Sequence, residues 1–156
     1  MKTILIFIAT VSFFATTARA DAGLSLRGRL LKPDGTPVTS SGVQFRVQVR
    51  TPPSSNCLLF EETQVKDLSG SAGLFSITLN DGTAAVPNGE PYTLETAFSA
   101  LGSVVFPAGK CTTGSSATLT ETTARQIVVS FNDGTFSGWE PLPAITANFA
   151  GQALSS

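Results

Sequence analysis

Apolar residues recur at every second position in several short stretches of this chain, and that period constrains the fold more than any other feature. The stretch 43–50, VQFRVQVR, alternates apolar residues with glutamine and arginine. Such alternation is typical of a β-strand that buries one face and exposes the other to water. Comparable patterns occur over residues 24–30, 75–79 and 126–131, and residues 57–65 form a fifth candidate strand.

Turn residues separate these stretches. Three Asp-Gly pairs, at residues 34, 81 and 133, follow candidate strands and suit the left-handed backbone of a tight turn. We therefore expect an all-β fold, a small β-sandwich of about seven strands. The predicted core contains twelve residues: Leu26, Leu30, Phe45, Val47, Val49, Phe75, Ile77, Leu79, Phe98, Ile127, Val129 and Phe131.

One short helix is also expected. Apolar residues at positions 94, 97, 98 and 101 have the i, i+3, i+4, i+7 spacing of one helix face. Thr93 is a candidate N-cap and Gly102 a candidate stop.

The first twenty residues have the features of a cleaved secretory signal. Lys2 supplies the positive charge, residues 4–15 the apolar segment, and Ala18-Arg19-Ala20 the small-x-small cleavage site. The alternative is an uncleaved anchor, but the apolar run is shorter than the roughly 20 residues of a membrane span. We expect a signal over residues 1–20, a β-sandwich domain over 21–138, and a linker with an apolar tail over 139–156. The exported chain would be periplasmic, at the cell surface or secreted, with no transmembrane segment.

Cys57 and Cys111 are the only cysteines, and both lie in the exported part. A single disulfide between them is the expected arrangement, since disulfides persist in oxidising compartments. It would close a loop of about 55 residues, which the chain-entropy relation values at roughly 4 kcal/mol as an upper figure. Two ligands of a metal site are the alternative, but the chain has no histidine and no C-x-x-C spacing.

Composition excludes several functions. Ten Lys and Arg, less Lys2 and Arg19 in the signal, leave eight against eleven Asp and Glu, so the exported part is acidic and unsuited to nucleic acid. Without histidine there is no Ser-His-Asp triad, and no nucleotide-binding motif is present. We expect no enzyme, metal or cofactor. The remaining enzymatic alternative is a small exported hydrolase built from distant carboxylates such as Glu95 and Glu121.

Two kinds of side chain are candidate ligand-binding groups. If the first two strands pair, the arginines on their polar positions form one cluster able to hold phosphate or a glycan carboxylate. The alternative is a solvated sheet face with cross-strand partners such as Glu62. Trp139 and Tyr92, the only Trp and Tyr, can stack on a sugar ring or pack against the sandwich. The four arginines are Arg27, Arg29, Arg46 and Arg50.

Residues 26–79 follow a familiar order of motifs: LSLRGRLL, the turn PDGTPV, the strand VQFRVQV and then GLFSITL. This order resembles the G-x-V-x-x-x-x-G-x-P-[LV]…G-x-[FY]-x-[IVL] pattern of carboxypeptidase regulatory-like, or transthyretin-like, β-sandwich domains. The resemblance implies a non-catalytic module of an exported protein.

A second resemblance covers more of the chain. GRLLKPDGTPV, NCLLFEE, GLFS, the segment 94–98, KCT and a closing strand with NDG look like the N-terminal region of large surface fibre proteins of predatory bacteria. Those proteins are described as mosaic adhesive trimers or cell wall anchor-like proteins, and a Pro-x-Ala junction leads into their trimeric fibre. The tail resembles that junction, which implies contacts between chains through Ile145, Phe149 and Leu154.

The sequence thus predicts an exported, non-enzymatic surface or periplasmic module with a structural or adhesion-associated role. The resemblance implies that it acts by chain–chain assembly at the base of a fibre, as a homo-oligomer such as a trimer or with a fibre partner chain. The main alternative is a monomeric carbohydrate-binding module that recognises a surface glycan. The small hydrolase is a third possibility.

Overall fold

A computed structural model describes residues 24–82, 84, 92–120, 122–135 and 137–143, together with the backbone of residues 10–11 and 145–147. Phe149, Leu154, Glu121 and most of the expected signal lie outside the described residues. Within them the chain forms ten strands and one helix. The elements are β1 (Thr10–Val11), β2 (Ser25–Arg29), β3 (Val43–Arg50), β4 (Leu58–Lys66), β5 (Leu74–Thr78), α1 (Leu94–Ala97), β6 (Gly102–Val105), β7 (Ser116–Leu119), β8 (Arg125–Asn132), β9 (Glu140–Pro141) and β10 (Ile145–Ala147).

The strands form two facing sheets and one hairpin. The larger sheet has five strands in the order β10-β8-β3-β4, with β9 also on β8, and the smaller has the order β1-β2-β5. Strands β6 and β7 form the hairpin. Phe45 of the larger sheet and Phe75 of the smaller sheet contact each other, with ring centroids 4.5 Å apart. The all-β fold with one short helix is confirmed.

The interior is built from the apolar half of each alternating strand. All twelve residues of the predicted core are buried. In β3 the burial pattern follows the sequence period without interruption, with Val43, Phe45, Val47 and Val49 on the inner side. Burying one such side chain contributes roughly 1.5–3 kcal/mol. The four buried side chains of β3 therefore contribute to the free energy that holds the two sheets together.

The first two predicted strands, β2 and β3, do not pair, so the condition for the single arginine cluster is not met. Strand β2 pairs with β5, placing Leu26 opposite Ile77, whereas β3 lies between β4 and β8. The strands that pair have similar lengths: the five residues of β2 match the five of β5, and the eight of β3 match the nine of β4 and the eight of β8. The turn at Pro33-Asp34-Gly35 and the bridge from Leu31 to Pro37 begin the crossing between the sheets.

Gly73, at the start of β5, is the point where the smaller sheet is most tightly packed. Its φ is +80°, in the region that glycine adopts most easily. Its carbonyl accepts from Leu30 N at 2.8 Å, and a Cβ placed on it would lie 2.3 Å from the Leu30 carbonyl oxygen. Only glycine fits here without moving backbone.

The larger sheet continues past the expected domain boundary at residue 138. Pro141 pairs with Ser130, Leu142 N donates to the Val129 carbonyl at 2.8 Å, and Ile145 pairs with Ile127. Leu142 is buried in the core. The segment expected to be a linker and tail therefore provides an edge strand, because β8 has backbone groups on that side that need partners.

The disulfide between Cys57 and Cys111 is present as predicted. The helix is also confirmed, with Thr96 N donating to the N-cap hydroxyl of Thr93 at 3.2 Å. It ends at Ala97, earlier than the apolar spacing suggested. No helix of the described part of the chain is long and apolar enough to cross a membrane.

Arg125 explains where the helix ends. This side chain is 2% exposed and donates to the carbonyls of Ala97 at 2.8 Å, Ser99 at 2.8 Å and Thr123 at 2.6 Å. Burial lowers the pKa of its guanidinium. Because it satisfies carbonyls at the helix C-terminus, Arg125 fixes the helical segment to β8.

Candidate functional site

The outer face of the five-stranded sheet collects the polar half of its alternating strands. Residues paired in an antiparallel sheet share a face, so the outward positions of β3 lie beside outward positions of β4 and β8. These positions hold two arginines, one glutamate and several amides and hydroxyls. They are Gln44, Arg46, Gln48 and Arg50 on β3, Glu61, Thr63 and Val65 on β4, and Gln126, Val128, Ser130 and Asn132 on β8.

We call the central part of this surface the Arg46 face and define it as Arg46, Gln48, Arg50, Glu61 and Trp139. The four sheet residues occupy neighbouring positions of β3 and β4. Trp139 comes directly before β9, which brings it to the same surface.

Arg46 and Trp139 are in direct contact. The guanidinium carbon of Arg46 lies 4.7 Å from the centroid of the Trp139 ring, a cation–π arrangement. The contact follows from the pairing of strands: Arg46 is opposite Ser130, and Ser130 is opposite Pro141, two residues after Trp139. The Arg46 Nε is buried and has no hydrogen-bond partner among the described residues. The indole therefore contacts the guanidinium while the Nε of Arg46 stays without a hydrogen-bond partner among the described residues.

Arg50 is held by hydrogen bonds instead of by an aromatic ring. Its Nε donates to Asn56 Oδ1 at 2.8 Å, its Nη2 to the Asn56 carbonyl at 2.9 Å, and its Nη1 to Gln48 Oε1 at 2.9 Å. Partial burial lowers the pKa of Arg50, nearby Glu61 raises it, and the like charge of Arg46 lowers it. Arg46 and Arg50 are thus close enough to repel each other.

Gln48 and Asn56 connect Arg50 to the rest of the molecule. Gln48 Nε2 donates to Glu61 Oε2, so Gln48 links the guanidinium to the carboxylate on β4. Asn56 has a left-handed backbone, with φ of 47°, and its side chain donates to Thr112 Oγ1 at 3.0 Å. Asn56 and Thr112 each adjoin one cysteine of the disulfide, which therefore supports the geometry around Arg50.

The other predicted arginines lie elsewhere, so the single four-arginine cluster is not formed. Arg27 and Arg29 are on β2 of the smaller sheet, where they alternate with buried Leu26 and face outward. Because the two sheets pack through their inner faces, these arginines lie on the opposite side of the sandwich from the Arg46 face. Arg29 Nε donates to the Ala72 carbonyl at 2.9 Å.

Tyr92 is also separate from the Arg46–Trp139 contact. Its ring packs edge-on against Phe106, with centroids 6.4 Å apart, and its backbone N–H donates to the Leu59 carbonyl at 3.1 Å. It is half-buried against the core. The packing alternative for Tyr92 matches this placement better than a role as a sugar platform.

Glu62 does not face the solvated sheet surface. It pairs with Val47 on the inner side and is only 4% exposed. Asn80 N donates to its Oε2 at 2.9 Å, and Gln64 Nε2 donates to its Oε1 at 2.6 Å. The outward glutamate is Glu61, because adjacent residues of a strand point to opposite faces.

Sequence reasoning missed Gln48, Asn56 and Glu61. Gln48 could have been found, since it lies between Arg46 and Arg50 on the same face of an alternating strand. For Asn56 the sequence offers a weaker indication, namely its position directly before Cys57. The pairing of Glu61 with Gln48 depends on the register between β3 and β4, which the sequence pattern of either strand alone does not specify.

The described part of the chain has a further depression but no metal-binding group of side chains. A shallow depression of about 420 Å³ is lined by Ala100, Gly102, Leu119, Thr120 and Thr122, which carry no ionisable group. The described residues contain no group of three or more His, Cys, Asp or Glu side chains that could hold a metal ion. The Arg46 face is therefore the surface with the most defined chemistry.

A family model described as Domain of unknown function (DUF8740) matches residues 25–110. The match covers more than half of the chain and includes β2 to β6, so Arg46, Arg50 and Asn56 fall inside it and Trp139 falls beyond it. No curated protein and no solved structure matches the chain.

Proposed function

Since the chain belongs to the DUF8740 family, whose function is unknown, we propose a function from the geometry: it is an exported, non-enzymatic module that binds a ligand on its Arg46 face. It belongs in the periplasm, at the cell surface or outside the cell.

One observation carries the proposal: two guanidinium groups are positioned in advance on a polar sheet surface. Trp139 covers Arg46 at 4.7 Å, and three hydrogen bonds hold Arg50. Long side chains lose rotamer freedom when they bind, and this loss opposes binding. Here much of that entropy is already lost in the folded chain, which favours recognition of an anionic group.

Two features support export and the absence of catalysis. The disulfide and the signal-like residues 1–20 suit an oxidising compartment. Neither adjacent carboxylate suits acid–base chemistry: Glu61 accepts a bond from Gln48, and Glu62 is buried with two donors. Glu95, named in the hydrolase alternative, is exposed in the first turn of α1.

The test is a binding screen of the oxidised chain against arrays of saccharides, peptides and phospholipids. Arg46→Gln is compared with Arg27→Gln, the matched change on the opposite side of the sandwich. The proposal expects at least one ligand that is lost in Arg46→Gln and retained in Arg27→Gln. If every ligand found binds both variants equally, the Arg46 face is not the binding surface.

A second candidate, assembly with other chains at the base of a fibre, is favoured by the C-terminal strand. β10 lies at the edge of the five-stranded sheet, in the segment that resembles a fibre junction. Ile145 pairs with β8 of its own chain, so the contacts between chains would come from Phe149 and Leu154. Light scattering tests this candidate: the oxidised chain should form a trimer, and Phe149→Ser with Leu154→Ser should form a monomer. A monomer in both cases would remove this candidate.

A further inference from the structure

We propose that the ligand of the Arg46 face is an anionic saccharide, with its acidic group between Arg46 and Arg50 and a sugar ring against Trp139. This inference rests on the proposed function and names its ligand class.

The N–H donors of Arg46 and Arg50 that have no partner among the described residues suit a carboxylate of a ligand. A guanidinium has five N–H groups, and the hydrogen bonds of Arg50 to Asn56 and Gln48 use three of them. The Nε of Arg46 is buried and has no hydrogen-bond partner within the part of the chain that the structure describes. An anion that accepts from the Nη groups of both arginines would use donors that Arg50 leaves free and would offset the repulsion between the two like charges.

The spacing of the arginines sets the size of the ligand. Arg46 and Arg50 are four residues apart on one face of β3, which places their Cα atoms about 13 Å apart. Gln48 lies midway and presents an amide on the same face. The site is therefore longer than one carboxylate, and a ligand with polar groups along its length fits it better than a small ion.

Trp139 supplies the reason for a sugar. The guanidinium of Arg46 occupies one face of the indole, and Trp139 is partly exposed, so part of its surface can contact a ligand. The C–H groups of a pyranose pack well on such a surface, as other apolar groups do. Around it, Gln44, Thr63 and Asn132 offer amides and a hydroxyl to sugar hydroxyl groups.

The charge balance argues against dense polyanions. Glu61 lies on the same face as the two arginines and is linked to Arg50 through Gln48. The outward positions of β3, β4 and β8 thus carry two positive charges and one negative charge. A chain with one carboxylate per sugar avoids Glu61 more easily than polyphosphate or nucleic acid does.

The experiment uses the fact that Trp139 is the only tryptophan, so intrinsic fluorescence reports directly from the site. The oxidised chain is titrated with short oligogalacturonate, with the same oligomer after methyl esterification, and with polyphosphate. We expect oligogalacturonate to change the Trp139 emission. Esterification removes the charge and keeps the ring, so it should weaken binding about tenfold or more, as loss of a charge-assisted hydrogen bond does. Polyphosphate should bind more weakly than oligogalacturonate.

Matched variants locate the binding. Arg46→Gln should weaken oligogalacturonate binding about tenfold, whereas Arg27→Gln should leave it within about twofold. Trp139→Phe keeps a ring and should retain part of the affinity, measured by calorimetry because the fluorophore is lost. If Arg46→Gln does not fold, two measurements on the unsubstituted chain replace it. The change in Trp139 emission locates the ligand, and its loss as ionic strength rises shows that the contact is charged.

The outcomes separate this inference from the proposed function. Equal binding of the acid and its methyl ester overturns the anionic part, and tighter binding of polyphosphate overturns the saccharide. If oligogalacturonate does not bind and another ligand depends on Arg46, the inference is wrong and the proposed function stands. If oligogalacturonate binds but Arg46→Gln and Arg27→Gln behave alike, both are wrong.

Discussion

The outer faces of the two sheets both carry a pair of arginines at even spacing along one strand, yet the pairs have different surroundings. Arg27 and Arg29 on β2 are exposed, and Arg29 makes one bond to a backbone carbonyl. Arg46 and Arg50 on β3 are half-buried, one under an indole and the other in a network of side chains. Alternation alone places arginines on a surface; the neighbouring strands and loops decide whether they are held in a defined geometry.

The largest expected effect is loss of the disulfide. Replacing Cys57 and Cys111 with serine should lower the free energy of unfolding by up to roughly 4 kcal/mol in denaturant titrations. Because Asn56 adjoins Cys57, amide exchange should accelerate more in residues 50–58 than in β2, provided the variant still folds. Equal acceleration at β2 would contradict the view that the disulfide supports the Arg46 face in particular.

The next effect concerns the smaller sheet. Gly73→Ala should cost about 2 kcal/mol or more, because a left-handed backbone costs about 1–2 kcal/mol for other residues and the new Cβ would contact the Leu30 carbonyl. Gly70→Ala is the matched control, since nothing lies within 4 Å of its added Cβ. Denaturant unfolding of both variants measures the difference. Similar stability of the two variants would refute the close packing at Gly73.

Arg50 and Arg29 allow a direct comparison between the two faces. Arg50→Ala should reduce stability by about 1–2 kcal/mol because three hydrogen bonds are lost, whereas Arg29→Ala should cost a few tenths. Arg50→Lys keeps the charge but not the fork of donors, so it should resemble the alanine variant more than the parent. Full recovery in the lysine variant would show that charge alone matters at this position.

The smallest effect is the contact of Arg46 with Trp139. A double-mutant cycle with Arg46→Ala and Trp139→Ala should give a coupling of about 0.5–1 kcal/mol in thermal or denaturant unfolding. The same cycle with Arg27→Ala in place of Arg46→Ala should give none, because Arg27 lies on the other side of the sandwich. A coupling of equal size in both cycles would mean that it does not come from the cation–π contact.

Much of the fold follows from local patterns. Part of the core and the positions of β2, β3, β4, β5 and β8 could be predicted, because burial in β3 and β5 follows a period of two and in β2 and β8 largely does. The β6–β7 hairpin was not predicted. The disulfide was predictable because only two cysteines exist. The short helix was predictable from its spacing and its N-cap, but its end was not, because Arg125 reaches it from a strand 28 residues further along the chain.

The site was harder to predict because it depends on which strands pair. The sequence placed all four arginines on polar faces correctly, but local alternation does not decide between β2–β3 and β2–β5 pairing. Trp139 reaches Arg46 because the next two residues, Glu140 and Pro141, pair with β8 in a segment whose sequence suggested a linker. Both the strand pairing and the position of Trp139 depend on contacts between residues distant in the chain. Local periodicity carries no information on such contacts.

The most direct test of the account is chemical-shift mapping of the isotope-labelled, oxidised chain during titration with short oligogalacturonate. The account predicts that the affected signals are the Trp139 indole N–H, the side chains of Arg46 and Arg50, and the amides of β3 and β8 around them. Shifts centred on Arg27 and Arg29 of β2, or spread evenly over all arginines, would contradict it.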